Sequence, residues 1–198
     1  MKTYLFIDGT NLYAAQYEIF GPNYYLYFPS FIKEVENKIR VKFDRIYFYA
    51  SYTPKSKKIT KKQKRYIINE FKFYQSVKKA TNLIFFKGYR SKTSGKEKEV
   101  DVKLATDLVG YGLLNKYKNI YLMTGDADFL QALFFVKKHN PKILVKLICL
   151  DKKIMYKGAF YFETIIINFS YQKLKFHQKQ KIKIIHIKNP AELCQRVG

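Results

Sequence analysis

Two aspartates, Asp126 and Asp128, follow the apolar run of LMTGDADFLQAL, residues 122 to 133, in a chain whose charge balance is otherwise heavily basic. A third, Asp8, closes another apolar run in FIDGTN. Gly9 and Gly125 beside them permit tight turns at which backbone can approach a ligand. A fourth, Asp101, opens the helical pattern EVDVKLATDLVGYGLL. At about 100° per residue, Leu104, Ala105, Leu108 and Gly112 lie within roughly 60° of Asp101, which puts this acid on the inward, apolar stripe. The ordinary alternative is a first-turn acid favoured by the helix dipole, a role that suits Glu99 better. Asp107 lies about 120° away by the same arithmetic and is read as a supporting residue.

Carboxylates gathered in one cleft repel one another, and each tends to take up a proton. A bound divalent cation removes that conflict. Oxygen ligands without His or Cys select Mg2+ or Mn2+ over zinc. His139, His177 and His186 lack ligand-like spacing, and Cys149 and Cys194 are far apart in sequence. The chemistry expected of Asp8, Asp101, Asp126 and Asp128 is therefore that of a hard metal ion.

Such acids need a scaffold that brings them to one place. Five apolar, β-rich runs stand out: TYLFI, RIYFYAS, LIFFKG, NIYLMT and KILVKLICL. Each is nearly continuous in apolar residues, as in strands buried on both faces of a parallel sheet. Segments around 12–20, 29–40, 57–80, 99–115 and 127–139 alternate with them and read as helices. The pattern predicts a three-layer α/β/α fold around a mainly parallel sheet. GPNYY at 21–25 reads as a turn and RSKTSGKEKE at 90–99 as a polar loop. Ligands of open parallel sheets sit outside the carboxyl ends of the strands, which is where Asp8, Asp126 and Asp128 fall. Residues 1–150 form the predicted domain. Residues 151–198 form a basic extension packed on it, with TIIINF as a sixth strand and a short strand within KLKFHQKQKIKIIHIKNP.

The 38 Lys and Arg against 15 Asp and Glu give a net charge of +23, which implies a polyanionic partner, nucleic acid above all. The densest cationic run is KSKKITKKQKR, with Lys55, Lys57, Lys58, Lys61, Lys62, Lys64 and Arg65 as phosphate contacts. The extension adds Lys173, Lys175, Lys179, Lys181 and Lys183. Tyr24, Tyr25 and Tyr27 are candidates for stacking on unpaired bases, with core packing as their alternative. Two cysteines are too few for a disulfide framework. No stretch approaches the roughly 18 apolar residues of a membrane span, so a soluble, cytoplasmic protein is expected.

Taken together, FIDGTNLY, KEVDVKLATDLV and LMTGDADFLQAL, in this order and spacing, resemble the NYN domain of the PIN-like nuclease superfamily, with the closest likeness to its LabA-like branch. The resemblance spans roughly residues 3 to 150 and stops there. It implies a PIN-like sheet flanked by helices and an acidic site for Mg2+- or Mn2+-dependent RNA cleavage, with endonuclease action expected. Carried over by position, Asp8, Asp101, Asp126 and Asp128 would hold the metal. Asn11 would orient Asp8 or the substrate, and Thr124 would supply a small hydroxyl beside the site. FIDGT is also similar to the D-x-D-G-T pattern of haloacid-dehalogenase phosphatases. Phe6 stands where their nucleophilic aspartate would be, and it cannot attack phosphorus. G-x-G-x-x-G and P-loop patterns are absent. The alternative to an enzyme is an RNA-binding or assembly module on the same fold; the presence of all four acids favours the enzyme.

Overall fold

The structure is a computed structural model that describes residues 2–54, 59–90, 97–150, 161–168, 182–186 and 194–196. In chain order the elements are β1 (Thr3–Asp8), α1 (Gly9–Phe20), β2 (Tyr24–Leu26), α2 (Phe28–Ile39) and β3 (Arg45–Ser51). Next come α3 (Lys61–Val77), β4 (Leu83–Arg90), β5 (Glu97–Lys98), α4 (Val100–Leu113) and β6 (Asn119–Met123). The last are α5 (Leu130–His139), β7 (Leu144–Leu150), β8 (Glu163–Asn168), β9 (Ile182–His186) and β10 (Cys194–Arg196).

Eight strands form the main sheet in the order β5-β4-β3-β1-β6-β7-β8-β9. All its pairings are parallel except the short β4–β5 hairpin. β1 is buried at every position, as a strand covered on both faces must be. Alternation along it divides the core. Leu5 and Ile7 join α1, α2 and α3 on one face, while Tyr4 and Phe6 join α4 and α5 on the other. The α/β/α layering expected from the sequence is the observed architecture. Among the described residues, no helix is long and apolar enough to cross a membrane.

Local chemistry explains the helix starts. Asp8 caps α1, its side chain accepting a hydrogen bond from the Asn11 N–H. Thr60 and Gln63 close a capping box on α3, each satisfying the other's backbone N–H. Gly9 has no alternative: a Cβ there would lie 2.1 Å from Cε1 of the buried Phe48 ring.

Three short strands depart from the sequence reading. Tyr24 and Tyr25, expected in a turn, begin β2, and Glu97 and Lys98 of the expected polar loop form β5. β2 pairs antiparallel with β10, with Tyr25 opposite Gln195. A strand of two or three residues carries no periodicity of its own, so only its partner reveals it. The helix expected over 57–80 is described from Lys61 to Val77. Beyond residue 150, β8 and β9 extend the sheet in parallel, matching the two strands expected there.

Candidate functional site

β1 and β6 are neighbours whose connections depart in opposite directions. The chain leaves β1 toward β3 through the α1–α2 layer and leaves β6 toward β7 through α5. A crevice opens above the carboxyl ends of strands that part in this way. Asp8 ends β1, and Thr124–Gly125–Asp126 directly follows β6. Residues 118 positions apart are thus delivered to one place by topology alone, since 126 − 8 = 118.

Hydrogen bonds fix the crevice wall. Asp8 is 5% exposed; its Oδ1 accepts from the Asn11 N–H at 2.9 Å and its Oδ2 from the Thr124 hydroxyl at 3.1 Å. Thr124 Oγ1 in turn accepts from the Asp126 N–H at 3.0 Å. The Asn11 side-chain carbonyl accepts from the Gly125 N–H at 2.9 Å, tying α1 to the turn after β6. Asp126 Oδ1 accepts from the Asp128 N–H at 2.9 Å, an aspartate turn that shapes the approach to α5. The buried Cys149 thiol donates to the Thr124 carbonyl at 3.4 Å, bracing the turn from β7. Asp8, Asn11, Thr124, Gly125, Asp126 and Asp128 therefore form one linked network.

Asp101 reaches the same edge by a different route. β5 pairs with the last residues of β4, so α4 starts at the carboxyl edge and runs back toward the start of β6. Leu104, Leu108 and Gly112 are buried as the helical arithmetic predicts, while Ala105 is half-buried. Asp101 is exposed, because the buried row of α4 runs Val100, Leu104, Leu108 and Gly112, and Asp101 stands about 100° around the axis from its first member. Its placement on an inward face is corrected accordingly.

Asp107 is half-buried beside β3. It accepts from the Tyr49 hydroxyl at 2.9 Å and pairs with Lys103. Burial, and then the Asp107 carboxylate, hold the Tyr49 phenol far above its ordinary pKa. Tyr49 is the register partner of Asp8. Asp107 thus fastens α4 to the strand beside Asp8. Nothing in the sequence marks Tyr49, which looks like any other strand aromatic.

The donor set is all oxygen and suits a hard cation. Among the described residues, however, no three Asp, Glu, His or Cys side chains gather closely enough to hold an ion. The four acids do not form one direct cage, because Asp101 and Asp128 stand exposed at its margins. Magnesium does not require such a cage: it keeps several waters and binds through one or two carboxylates together with substrate phosphate. Asp8 and Asp126 fit that mode.

The cations divide between described and undescribed segments. Lys61, Lys62, Lys64 and Arg65 lie exposed on the first turns of α3. Only nine residues separate β3 from α3, and α3 leads back to β4, whose start lies beside the start of β3 through the Ile46 N–H bond to the Asn82 carbonyl. The first turn of α3 therefore sits at the carboxyl edge, on the same side of the molecule as the acids. Arg65 also donates to Asn23 at 3.1 Å. Lys55, Lys57 and Lys58, with Lys173, Lys175, Lys179 and Lys181, lie outside the described residues; Lys183 falls in β9. Tyr25 is buried and donates to Gln195 at 2.8 Å, Tyr27 is half-buried, and only Tyr24 of that trio is exposed. A cavity of about 540 Å3 around Lys33, Lys42, Asp44 and Asn82 lies at the opposite, amino edge. Size does not make it the site, because it holds none of the clustered acids.

Comparison with known proteins agrees with this fold. The family model described as NYN domain matches residues 2–154. A crystal structure of a protein of unknown function from Vibrio parahaemolyticus is similar in fold, with a TM-score of 0.58 at 15% identity, covering 86% of this chain and 93% of that one. No curated protein matches the chain significantly.

Proposed function

Because the chain belongs to the NYN domain family, whose fold is nuclease-like, we propose that it is a metal-dependent ribonuclease hydrolysing RNA phosphodiester bonds at the crevice between β1 and β6. The observation that carries this reading is the linkage of Asp8, Thr124 and Asp126 at the sheet's switch point. Capping α1 uses one Asp8 oxygen, and the other is turned to the Thr124 hydroxyl after β6, at the edge where a ligand of an open parallel sheet sits. Asp8 and Asp126 would hold Mg2+ or Mn2+, with Asp101 and Asp128 acting through water at the rim. The ion, when bound, would activate water and offset charge on the phosphate.

The chain's own residues do the positioning. Asn11 spans from α1 to the Gly125 N–H and keeps the turn after β6 against Asp8. Thr124 orients one Asp8 oxygen by donating to it and receives the Asp126 N–H on its other side. Lys61, Lys62, Lys64 and Arg65 supply what the acids cannot, attraction for the phosphate backbone along the same edge.

Incubating purified protein with structured and unstructured RNA, in Mn2+, Mg2+ or EDTA, tests the reading. Cleavage should require the ion and should vanish in Asp8→Asn while RNA binding persists. Cleavage unchanged by excess EDTA would refute the metal assignment. Binding without cleavage in either ion would leave the RNA-binding module as the function.

A further inference from the structure

The residues beside the site include aromatics that neither the core nor the crevice uses. Phe71 on α3 is 53% exposed and Tyr89 near the end of β4 is 55% exposed. Both lie on the face of the sheet that α3 covers. Along β4, Phe85 packs against the α3-side core, and alternation puts Lys87 and Tyr89 on the same side. The β3–β4 register ends with Ala50↔Lys87 and Ser51↔Gly88, so Tyr52 and Tyr89 each directly follow the last paired residues. Tyr52 packs edge-on against Tyr74 at 5.1 Å and meets Phe71 at 6.5 Å. Lys87 holds its ammonium 5.3 Å from the Tyr52 ring centre. Lys64, Ile68 and Phe71, spaced i, i+4 and i+7, share one stripe of α3, so the aromatic patch runs directly into the basic first turn.

We propose that Phe71 and Tyr89, with Tyr52 and Lys87 packed behind them, form a platform on which unpaired bases of an RNA strand stack beside the crevice. The inference rests on the ribonuclease reading for its choice of RNA. Tyr52 lies three residues past Tyr49, the partner of Asp8, and one strand over. Strand geometry puts it roughly 11 Å from Asp8, a reach of one or two nucleotides. Exposed rings edged by lysines suit a ligand that is flat, apolar on its faces and anionic along its backbone, and a nucleic acid strand is that ligand. Of the Tyr24, Tyr25 and Tyr27 set, Tyr25 is buried and drops out as a stacking candidate, while Tyr24 stays exposed.

The test uses full-length protein in EDTA, so that neither metal nor turnover enters. The probes are a fluorescently labelled oligouridylate and an abasic oligomer of equal length, which carries the same phosphates without bases. Phe71→Leu combined with Tyr89→Leu should weaken oligouridylate binding about ten-fold and abasic binding less than about two-fold. Phe71→Trp should bind oligouridylate at least as tightly as the wild type. Both side chains are more than half exposed, so neither change removes core packing. Equal losses for both oligomers, no loss for either, or no binding of oligouridylate by the wild type would each overturn the platform and leave the patch to a protein partner. Cleavage in Mn2+ is scored separately. A wild type that stacks bases without cutting sinks the nuclease reading alone, and one that cuts without base-dependent binding sinks the platform alone.

Discussion

Replacing Gly9 with Ala should destabilise the protein, although Ala is the better helix former. The new methyl would stand 2.1, 2.4 and 2.8 Å from three atoms of the Phe48 ring. Carbon atoms in contact prefer about 3.5–4.0 Å, so the ring or the start of α1 must retreat by more than about 1 Å. Phe48 has no room to do so. It is fully buried, with Phe28 at 5.5 Å, Phe85 at 5.3 Å and Tyr74 at 5.8 Å around it. Overpacking of this kind costs about 1–3 kcal/mol, against which the helix gain from Gly to Ala returns at most about 1 kcal/mol. A net loss of about 1–2 kcal/mol lowers Tm by roughly 2–8 °C in a chain of this size. Phe48→Leu in the Gly9→Ala background should restore part of the loss. A double-mutant cycle by urea denaturation would then show a coupling above about 0.5 kcal/mol. Cleavage in Mn2+ should fall further than stability does, because Gly9 lies between Asp8 and Asn11. A Gly9→Ala protein as stable as the wild type, or a cycle without coupling, refutes the packing argument.

Mn2+ should raise the Tm of the wild type by mass action, and the rise should shrink in Asp8→Asn when melts with and without the ion are compared. A wild type indifferent to Mn2+ would make the acid network structural. Changing Lys61, Lys62, Lys64 and Arg65 to Gln should flatten the log–log salt dependence of binding to single-stranded RNA by up to about 3, at about 0.7 per phosphate contact. An unchanged slope would mean that this turn only faces solvent. Alkaline pH should unfold the protein steeply. Burial, then Tyr111, pushes the Tyr47 phenol up to about 12, and burial raises Tyr13, Tyr49 and Tyr117 as well. Unfolded tyrosines ionise near pH 10 while these stay protonated, so stability is intact below about pH 10 and falls above it by up to about 1.4 kcal/mol per pH unit per phenol. Urea denaturation between pH 9 and 11.5, with tyrosinate absorbance followed alongside, would show ionisation coinciding with unfolding; ionisation of all phenols in the folded protein would contradict it.

Much of the scaffold is legible in the residues because burial on both faces leaves a plain mark. TYLFI, RIYFYAS and NIYLMT can scarcely be anything other than inner strands, and they are β1, β3 and β6. The acids that end such strands are legible for the same reason, since the end of the apolar run gives the edge of the sheet. Elements set by pairing alone leave no mark, which is why β2, β5 and β10 escape. Asp101 shows the limit of helical arithmetic. A buried row of residues four apart drifts around the axis by about 40° per step, so the acid that lines up with Leu108 and Gly112 stands well to one side of Val100 at the first turn. Tyr25 shows another limit, because its ring is committed by Gln195, 170 residues away. The likeness of FIDGTNLY and LMTGDADFLQAL to a family carried the site further than spacing could. The hydroxyl of Thr124 as a bridge between Asp8 and Asp126 emerges only from coordinates.

The pairing of β2 with β10 also sets an order of events in folding. β2 lies between the first two helices, yet its strand partner is Cys194–Arg196. During synthesis the sheet from β4 through β7 can assemble around its core while the Tyr24–Leu26 edge waits, its outward N–H and C=O groups still given to water. Domains form from the N-terminus as the chain emerges at about 5–20 residues per second, so that edge stays open for roughly 2 to 9 s between Leu150 and Cys194. An open strand edge is a template for pairing with other chains, a hazard that the three-residue length of β2 keeps small until Cys194–Arg196 covers it. Closing the pair late costs little extra, because loop entropy grows only with the logarithm of length.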